Sequence, residues 1–347
     1  MSLENRIETF SALGKILRDS LEGIETGYTS DLERLIENQQ FKNPWFIPEN
    51  VRMAICAIAR ELTTESLTKW TSLYPLLKKE AKPYKVAVIM AGNIPLVGFH
   101  DFLSVLITGN DIVVKASSKD PDLIKFISRI LTDINPEFSK KISFVDGVMS
   151  GFEAVIATGS NNTSRYFESY FGKYYNIIRK NRNSIAILEG NESGKEIEDL
   201  GTDIFSYFGL GCRNVSKIYV PRGFDFTMLT ERWGKFETLV NHTKYANNYD
   251  YYKAVFMVNR EPFSDTGYLL IKESPVLSSP VAVLNFEYYE SGEEINRKTE
   301  NIKDMIQCFV GRNHLSFGSA QSPALWDYAD GTDTIEFILK KNSSGIL

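Results

Sequence analysis

The residue of this chain best suited to chemistry is Cys212, in Phe208-Gly209-Leu210-Gly211-Cys212-Arg213-Asn214. It lies where a helix-like stretch (Ile197 to Phe208) hands over to an apolar strand-like run (Lys217 to Val220). Two glycines before it remove Cβ atoms and let a substrate carbonyl approach the thiol. That suits a covalent nucleophile; a buried structural thiol is the alternative. Three polar turns offer further groups: Met90-Ala91-Gly92-Asn93-Ile94-Pro95-Leu96, Lys115-Ala116-Ser117-Ser118-Lys119 and Ala157-Thr158-Gly159-Ser160-Asn161-Asn162. Asn93 either presents an amide donor or only shapes the turn before Pro95. Lys115 is either a ligand contact or an ordinary solvated charge.

The elements that must position these groups follow from hydrophobic spacing. Up to about residue 80 the period is helical, as in Ile7, Phe10, Leu13, Ile16 and Leu17, then Val51, Ile55, Ile58 and Leu62. After Lys82-Pro83, short apolar runs alternate with amphipathic stretches. The pattern predicts strands at Val86 to Met90, Ile112 to Lys115, Ile142 to Val145 and Ala154 to Ala157, and helices at Phe99 to Ile107 and Pro121 to Ile134. Such alternation predicts an α/β fold with a doubly wound parallel sheet, ligands lying at the carboxyl ends of its strands. The three turns fall there. No G-x-G-x-x-G follows the first strand, so the usual dinucleotide fingerprint is absent.

Composition narrows the function classes. The chain has 347 residues, 43% hydrophobic and 24% charged, enough for two domains. Its net charge of −5 and 39 scattered basic residues argue against nucleic acid as partner. The start, Met1-Ser2-Leu3-Glu4-Asn5-Arg6, lacks the apolar core of a signal peptide, and no uncharged run reaches spanning length, so a cytoplasmic protein without a membrane span is expected. Cys56, Cys212 and Cys308 are too widely spaced to suggest a disulfide framework or a metal site. Cys56 and Cys308 have apolar neighbours and read as core; His100 and His314 read as packed or surface residues. The aromatic stretch Tyr245 to Tyr252 reads as a helix face rather than an acyl tunnel.

Taken in chain order, the Asn-x-Pro turn, Val113-Val114-Lys115 with small residues after it, the Thr-Gly-Ser turn and Gly-x-Gly-Cys resemble the aldehyde dehydrogenase superfamily. Arg179-Lys180-Asn181-Arg182-Asn183-Ser184, and Phe317-Gly318-Ser319-Ala320-Gln321-Ser322-Pro323 running into Trp326-Asp327-Tyr328-Ala329-Asp330-Gly331, are similar to the LuxC-like long-chain acyl-CoA reductases within it. The resemblance implies an aldehyde-dehydrogenase-like fold of two doubly wound α/β domains. Its parts would be a helical segment (1–80) packing on a nucleotide-binding domain (81–183), a catalytic cysteine domain (184–312) and a C-terminal return and oligomerisation region (313–347) with a strand at Thr334 to Leu339. A homo-oligomer is expected on the same basis.

The resemblance also assigns roles. Cys212 would accept the acyl group, and Asn93 would donate its side-chain amide to the adduct oxygen together with the Cys212 backbone N–H, worth about 3 kcal/mol in the transition state. Lys115 would contact the adenosine ribose, and Gly159 and Ser160 would lie beside the pyrophosphate. Two departures add to this. Where NAD-preferring members carry a glutamate, this chain has Ser118, then Lys119, so with Ser117 the turn favours NADPH over NADH. Where hydrolytic members carry Glu-Leu-Gly-Gly, Ile178 to Asn183 holds no carboxylate, so water attack on an acyl-cysteine should be slow. Glu189, at the end of the Ile185 to Leu188 strand, is a candidate replacement base, and Arg179, Lys180 and Arg182 either bind phosphates or form a solvated turn. The expected activity is NADPH-dependent reduction of a fatty acyl-CoA or acyl-carrier thioester to the aldehyde. The alternatives are aldehyde oxidation, CoA-acylating or hydrolytic, and a non-redox acyl-binding or acyl-transfer module.

Overall fold

A computed structural model of the chain describes residues 1–79 and 81–344. The backbone divides into two compact units: residues 1–181 with the segment from Ala324 onward, and Arg182–Pro323.

The first unit opens with α1 (Leu3–Leu21), α2 (Thr29–Lys42), α3 (Pro48–Glu61) and α4 (Thr64–Ser72). The spacing that predicted them is the spacing they bury: Ile7, Phe10, Leu13 and Leu17 on α1, Val51, Ile55 and Ala59 on α3. Cys56 falls off that stripe and is exposed, so its apolar neighbours in sequence do not make it a core residue.

Five short parallel strands follow, β1 (Lys85–Ile89), β2 (Asp111–Lys115), β3 (Ile142–Phe144), β4 (Ala154–Thr158) and β5 (Tyr175–Arg179), in the order β3-β2-β1-β4-β5. α5 (Phe99–Ile107) and α6 (Leu123–Ile134) share a core with Val86, Val88, Ile112 and Val114 on one face. α7 (Asn161–Phe171) covers the other, where Phe167 and Phe171 meet Ala87, Val155 and Ala157. Burial on both faces explains why β1, β2 and β4 read as continuous apolar runs. Parallel crossovers are usually helical, but the β3-to-β4 connection, residues 145–153, is not; its Met149 and Phe152 pack on that second face instead.

The C-terminal segment differs from expectation. Thr334 to Leu339 is no strand but the start of a helix, Thr334–Ser344, because Ile335, Ile338 and Leu339 recur at helical spacing and are all buried. The return also begins later than residue 313: through Pro323 the chain packs with the second unit, and from Ala324 with the first. Arg179, at the end of β5, anchors this segment. It is 3% exposed, meets Asp101 of α5 at 2.7 Å, and donates to Ala329 O at 2.6 Å and Thr334 Oγ1 at 2.8 Å.

The second unit holds a six-stranded sheet in the order β11-β6-β7-β10-β9-β8, parallel except for β8. In chain order it runs β6 (Asn183–Ile187), α8 (Gly194–Phe205), β7 (Val215–Pro221), α9 (Thr227–Arg232), α10 (Thr243–Val258), β8 (Ser264–Asp265), β9 (Leu270–Glu273), β10 (Val283–Tyr289), α11 (Gly292–Glu300) and β11 (Ile306–Val310). Ser193 and Glu196 form a capping box that starts α8, and Ile197, Leu200 and Ile204 then share the core with Trp233. Tyr245 and Tyr249, one turn apart on α10, are buried while Tyr251 is exposed, as on a helix face.

Candidate active site

In the second unit, the path from α8 to β7 builds a turn around Cys212. After Phe205 the chain enters the left-handed region at Tyr207 (φ 51°), Phe208 (φ 57°) and Gly209 (φ 76°). For Tyr and Phe that conformation costs about 1–2 kcal/mol each, so other contacts must hold it. Asn214 does much of this: its Nδ2 donates to Ser206 O at 2.8 Å and Asp203 O at 3.0 Å, and its Oδ1 accepts the Gly211 amide at 2.8 Å. The Asn214 amide returns to Gly211 O at 3.0 Å, which makes Gly211–Asn214 a β-turn with Cys212 at its second position.

Two more clamps fix that turn. Ser184, at the start of β6 and fully buried, donates its hydroxyl to Cys212 O at 3.0 Å and accepts the Cys308 amide at 3.2 Å. Arg213 Nε donates to Ala320 O at 2.6 Å, while the Ala320 and Gly318 amides donate to the Asp203 carboxylate at 2.9 and 2.7 Å. Burial pushes the Asp203 carboxyl up to about 6, against the pull of those two amides. A closed circuit thus runs from Asp203 through Ala320, Arg213 and Asn214 back to the Asp203 carbonyl. Cys212 is half-buried beside it, and no cysteine among the described residues is disulfide-bonded.

In the first unit, strand order reverses between β1 and β4, so the turns after these strands flank the crevice where such sheets take their ligands. The turn after β1 carries Asn93, half-buried. Its Gly92 is pressed against the turn after β2, since a Cβ there would fall 2.5 Å from Ser117 Oγ. Asn43, just past α2, donates to Gly92 O at 3.4 Å. Lys115 donates to Gly147 O at 3.0 Å, Ser117 Oγ accepts the Lys119 amide at 3.2 Å, and Ser118 and Lys119 are exposed. Ser160 caps α7 by accepting the Thr163 amide at 3.2 Å, with Gly159 just before it. The N-terminus of an eleven-residue helix after a glycine is suited to a phosphate. The fold therefore brings Asn93, Lys115, Ser117, Ser118, Lys119, Gly159 and Ser160 to the carboxyl ends of three neighbouring strands, a cradle whose chemistry fits a dinucleotide.

Residues 40–229, which include the Asn93 turn, the cradle and the Cys212 turn, match the family model described as acyl-CoA reductase (LuxC), and they make up more than half of the chain. The chain belongs to the acyl-CoA reductase (LuxC) family. Among family relatives, it is 22% identical over 281 residues to long-chain acyl-protein thioester reductase 2 of Photobacterium leiognathi, covering 73% of this chain and 55% of that one. It is 25% identical over 159 residues to the long-chain acyl-protein thioester reductase of Aliivibrio fischeri, covering 40% and 33%. The match thus spans about half the length of the first relative and a third of the second. Solved structures similar to it include aldehyde dehydrogenase 21 from Physcomitrella patens (TM-score 0.65, 12% identity, 98% of this chain and 87% of that one) and an aldehyde dehydrogenase from Bacillus cereus in an NAD+ complex (TM-score 0.61, 14%, 87% and 70%). The LuxC-family chain therefore has the aldehyde dehydrogenase fold, two α/β units without the standard glycine fingerprint.

Several candidate residues lie elsewhere in this LuxC-family structure. Glu189 lies two residues past the end of β6, while Ser184, which holds the Cys212 turn, is near its start. Glu189 pairs with Arg312 at 3.2 Å. Arg179 is neither a phosphate ligand nor a solvated charge but the buried partner of Asp101, and burial is why sequence alone misread it. Lys180 pairs with Glu168 at 2.8 Å, and Arg182 donates to Ile306 O at 3.3 Å. His100 donates its Nε2–H to Leu325 O at 2.8 Å and packs on Trp70 and Tyr328; burial lowers its pKa. His314 is exposed beside Phe309. Cys308 is half-buried, its Sγ 3.0 Å from Ser184 Oγ, so it belongs to the cysteine turn rather than to a purely apolar core. Among the described residues no group of three or more His, Cys, Asp or Glu is arranged to hold a metal, and no helix is long and apolar enough to cross a membrane.

Asp203, Asn214 and Ser184 were not singled out from sequence; the partners of Asp203 and Ser184 lie up to 124 residues away. The only local signal is an amide side chain two residues after a Gly-Cys pair. Asn214→Ala removes the partners of the Gly211 amide and the Ser206 and Asp203 carbonyls. It is expected to lower unfolding free energy by about 3 kcal/mol and to reduce acylation of Cys212, checked by denaturant melts alongside acyl labelling. An unchanged melt would show that the turn holds without it.

Proposed function

We propose that this chain reduces a fatty acyl thioester to the aldehyde with NADPH, through an acyl-cysteine at Cys212. The observation that carries the reading is the Cys212 turn: a half-buried thiol on a β-turn clamped by Ser184, Arg213 and Asn214, inside the segment that matches the family. The named activities of the relatives, acyl-protein thioester reductases, support the substrate class.

The Cys212 thiolate attacks the thioester carbonyl carbon, forming a carbon–sulfur bond and placing negative charge on the carbonyl oxygen. Collapse of that adduct expels the carrier thiolate, which takes up a proton, and leaves the acyl group on Cys212. On the family resemblance the Asn93 amide is a donor to that oxygen, and the same charge returns on reduction, so the same donor serves both steps. Ile178 to Asn183 offers no carboxylate to activate water, and Glu189 is paired with Arg312, which leaves the acyl-cysteine long-lived. Bound NADPH would supply the hydride that turns the acyl group into the aldehyde. Gly159 and Ser160 would hold its pyrophosphate at the start of α7, Lys115 its adenosine ribose, and Ser117, Ser118 and Lys119 the 2′-phosphate.

The reading is tested by incubating the protein with a mixture of acyl-CoA thioesters and weighing it intact, then adding NADPH. A single acyl adduct that NADPH discharges as aldehyde is expected. Discharge as free acid would mean a hydrolase, and an adduct indifferent to NADPH would mean an acyl-transfer module. The cofactor preference has its own check: kcat/KM should be higher with NADPH than with NADH, and Lys119→Glu should cut that ratio by about tenfold. A higher value for NADH in the unmodified protein overturns the assignment.

A further inference from the structure

Asp120 follows the Lys119 turn and is nearly fully buried. Its Oδ2 accepts the amide of Leu96 at 2.8 Å, and Leu96, at φ 56°, is the left-handed residue that closes the Asn93 turn. Asp120 is in turn fixed by its own amide, which donates to Ser117 O at 3.0 Å. The turns after β1 and β2 are therefore joined twice, by Gly92 against Ser117 and by Leu96 on Asp120. The other carboxylate oxygen, Oδ1, is buried with no hydrogen-bond partner among the described residues. Burial pushes this carboxyl up to about 6, while the Leu96 and Leu123 amides pull it down. Ionising it at neutral pH costs the folded state stability that the neutral acid keeps. What it holds is the backbone that aims Asn93.

We propose that Asp120 is the positioning residue of the Asn93 amide, and that it ties the oxyanion turn to the seat of the cofactor's adenosine end. The inference rests on reading Asn93 as the oxyanion donor. An amide of the same shape keeps an acceptor oxygen for the Leu96 N–H and should serve nearly as well.

The test compares full-length protein with Asn93→Ala, Asp120→Ala, Asp120→Asn and the double variant Asn93→Ala/Asp120→Ala, following single-turnover acylation of Cys212 and steady-state reduction. Asp120→Ala should lower kcat about tenfold or more with the thioester KM within about twofold, because the amide is misplaced while the groups that bind the ground-state thioester stay as they were. Asp120→Asn should restore most of that kcat. Adding Asp120→Ala to Asn93→Ala should cost no more than about twofold beyond Asn93→Ala, since a residue acting through Asn93 has nothing left to position. Losses that multiply in the double variant, or an Asp120→Asn as impaired as Asp120→Ala, overturn the proposal. Should Asp120→Ala not fold, the Asp120→Asn result decides alone. If Asn93→Ala acylates at the normal rate, it is the reading of Asn93 that falls, and the single variants separate that outcome from failure of Asp120.

Discussion

Cys212→Ala should yield a folded protein that takes no acyl label from a thioester and oxidises NADPH more than about 10⁴-fold more slowly than the unmodified chain. Folding should survive because the clamps on the turn engage the backbone of residues 211–214 and the side chains of Ser184, Arg213 and Asn214, none of which the substitution removes. The measurement is intact-protein mass after incubation with acyl-CoA, run beside NADPH consumption and a thermal melt. NADPH should still raise the melting temperature of the variant, because its proposed seat is built on β1, β2 and β4 of the first unit, and a ligand that binds only the native state stabilises it by mass action. Persistent reduction by Cys212→Ala would refute the covalent route even if the family membership stands.

Asn93→Ala should lower kcat by about 10²- to 10³-fold, the usual loss when one oxyanion donor is deleted. The loss should appear in acylation and in reduction alike, because both steps develop charge on the same oxygen. Substrate KM should change far less, since the ground-state carbonyl gains little from a donor aimed at the adduct. Single-turnover labelling measures the first step and steady-state NADPH consumption the whole cycle. A variant slowed in reduction but not in acylation would place another donor at the first step.

Much of this was legible in the order of residues along the chain. The Asn93 turn, the Lys115 to Lys119 turn, the Gly159-Ser160 turn and the Cys212 turn each occupy consecutive residues between apolar runs, so spacing alone located them. Ile335, Ile338 and Leu339 carried a helical period as well, but the β-branched run that contains them was read as a strand; tertiary packing on the first unit decided otherwise. Arg179 fits neither of its two readings, phosphate ligand or solvated charge, because it is buried against Asp101. A charge in a sequence has no burial attached to it, and whether it binds a ligand, pairs with Asp101 or answers Arg312 depends on residues tens of positions away.

The order of motifs along the amino-acid sequence was sufficient to determine the family and the α/β class and to nominate the thiol, because each is encoded by neighbours within one turn or strand. The tertiary structure alone decided what holds those turns: Asp120 on Leu96, Asp203 on Gly318 and Ala320, Ser184 on Cys212. These are hydrogen bonds between segments 24 to 117 residues apart. No local pattern specifies such pairs, since a polar side chain acquires its partner only when folding has removed the water that would otherwise serve it.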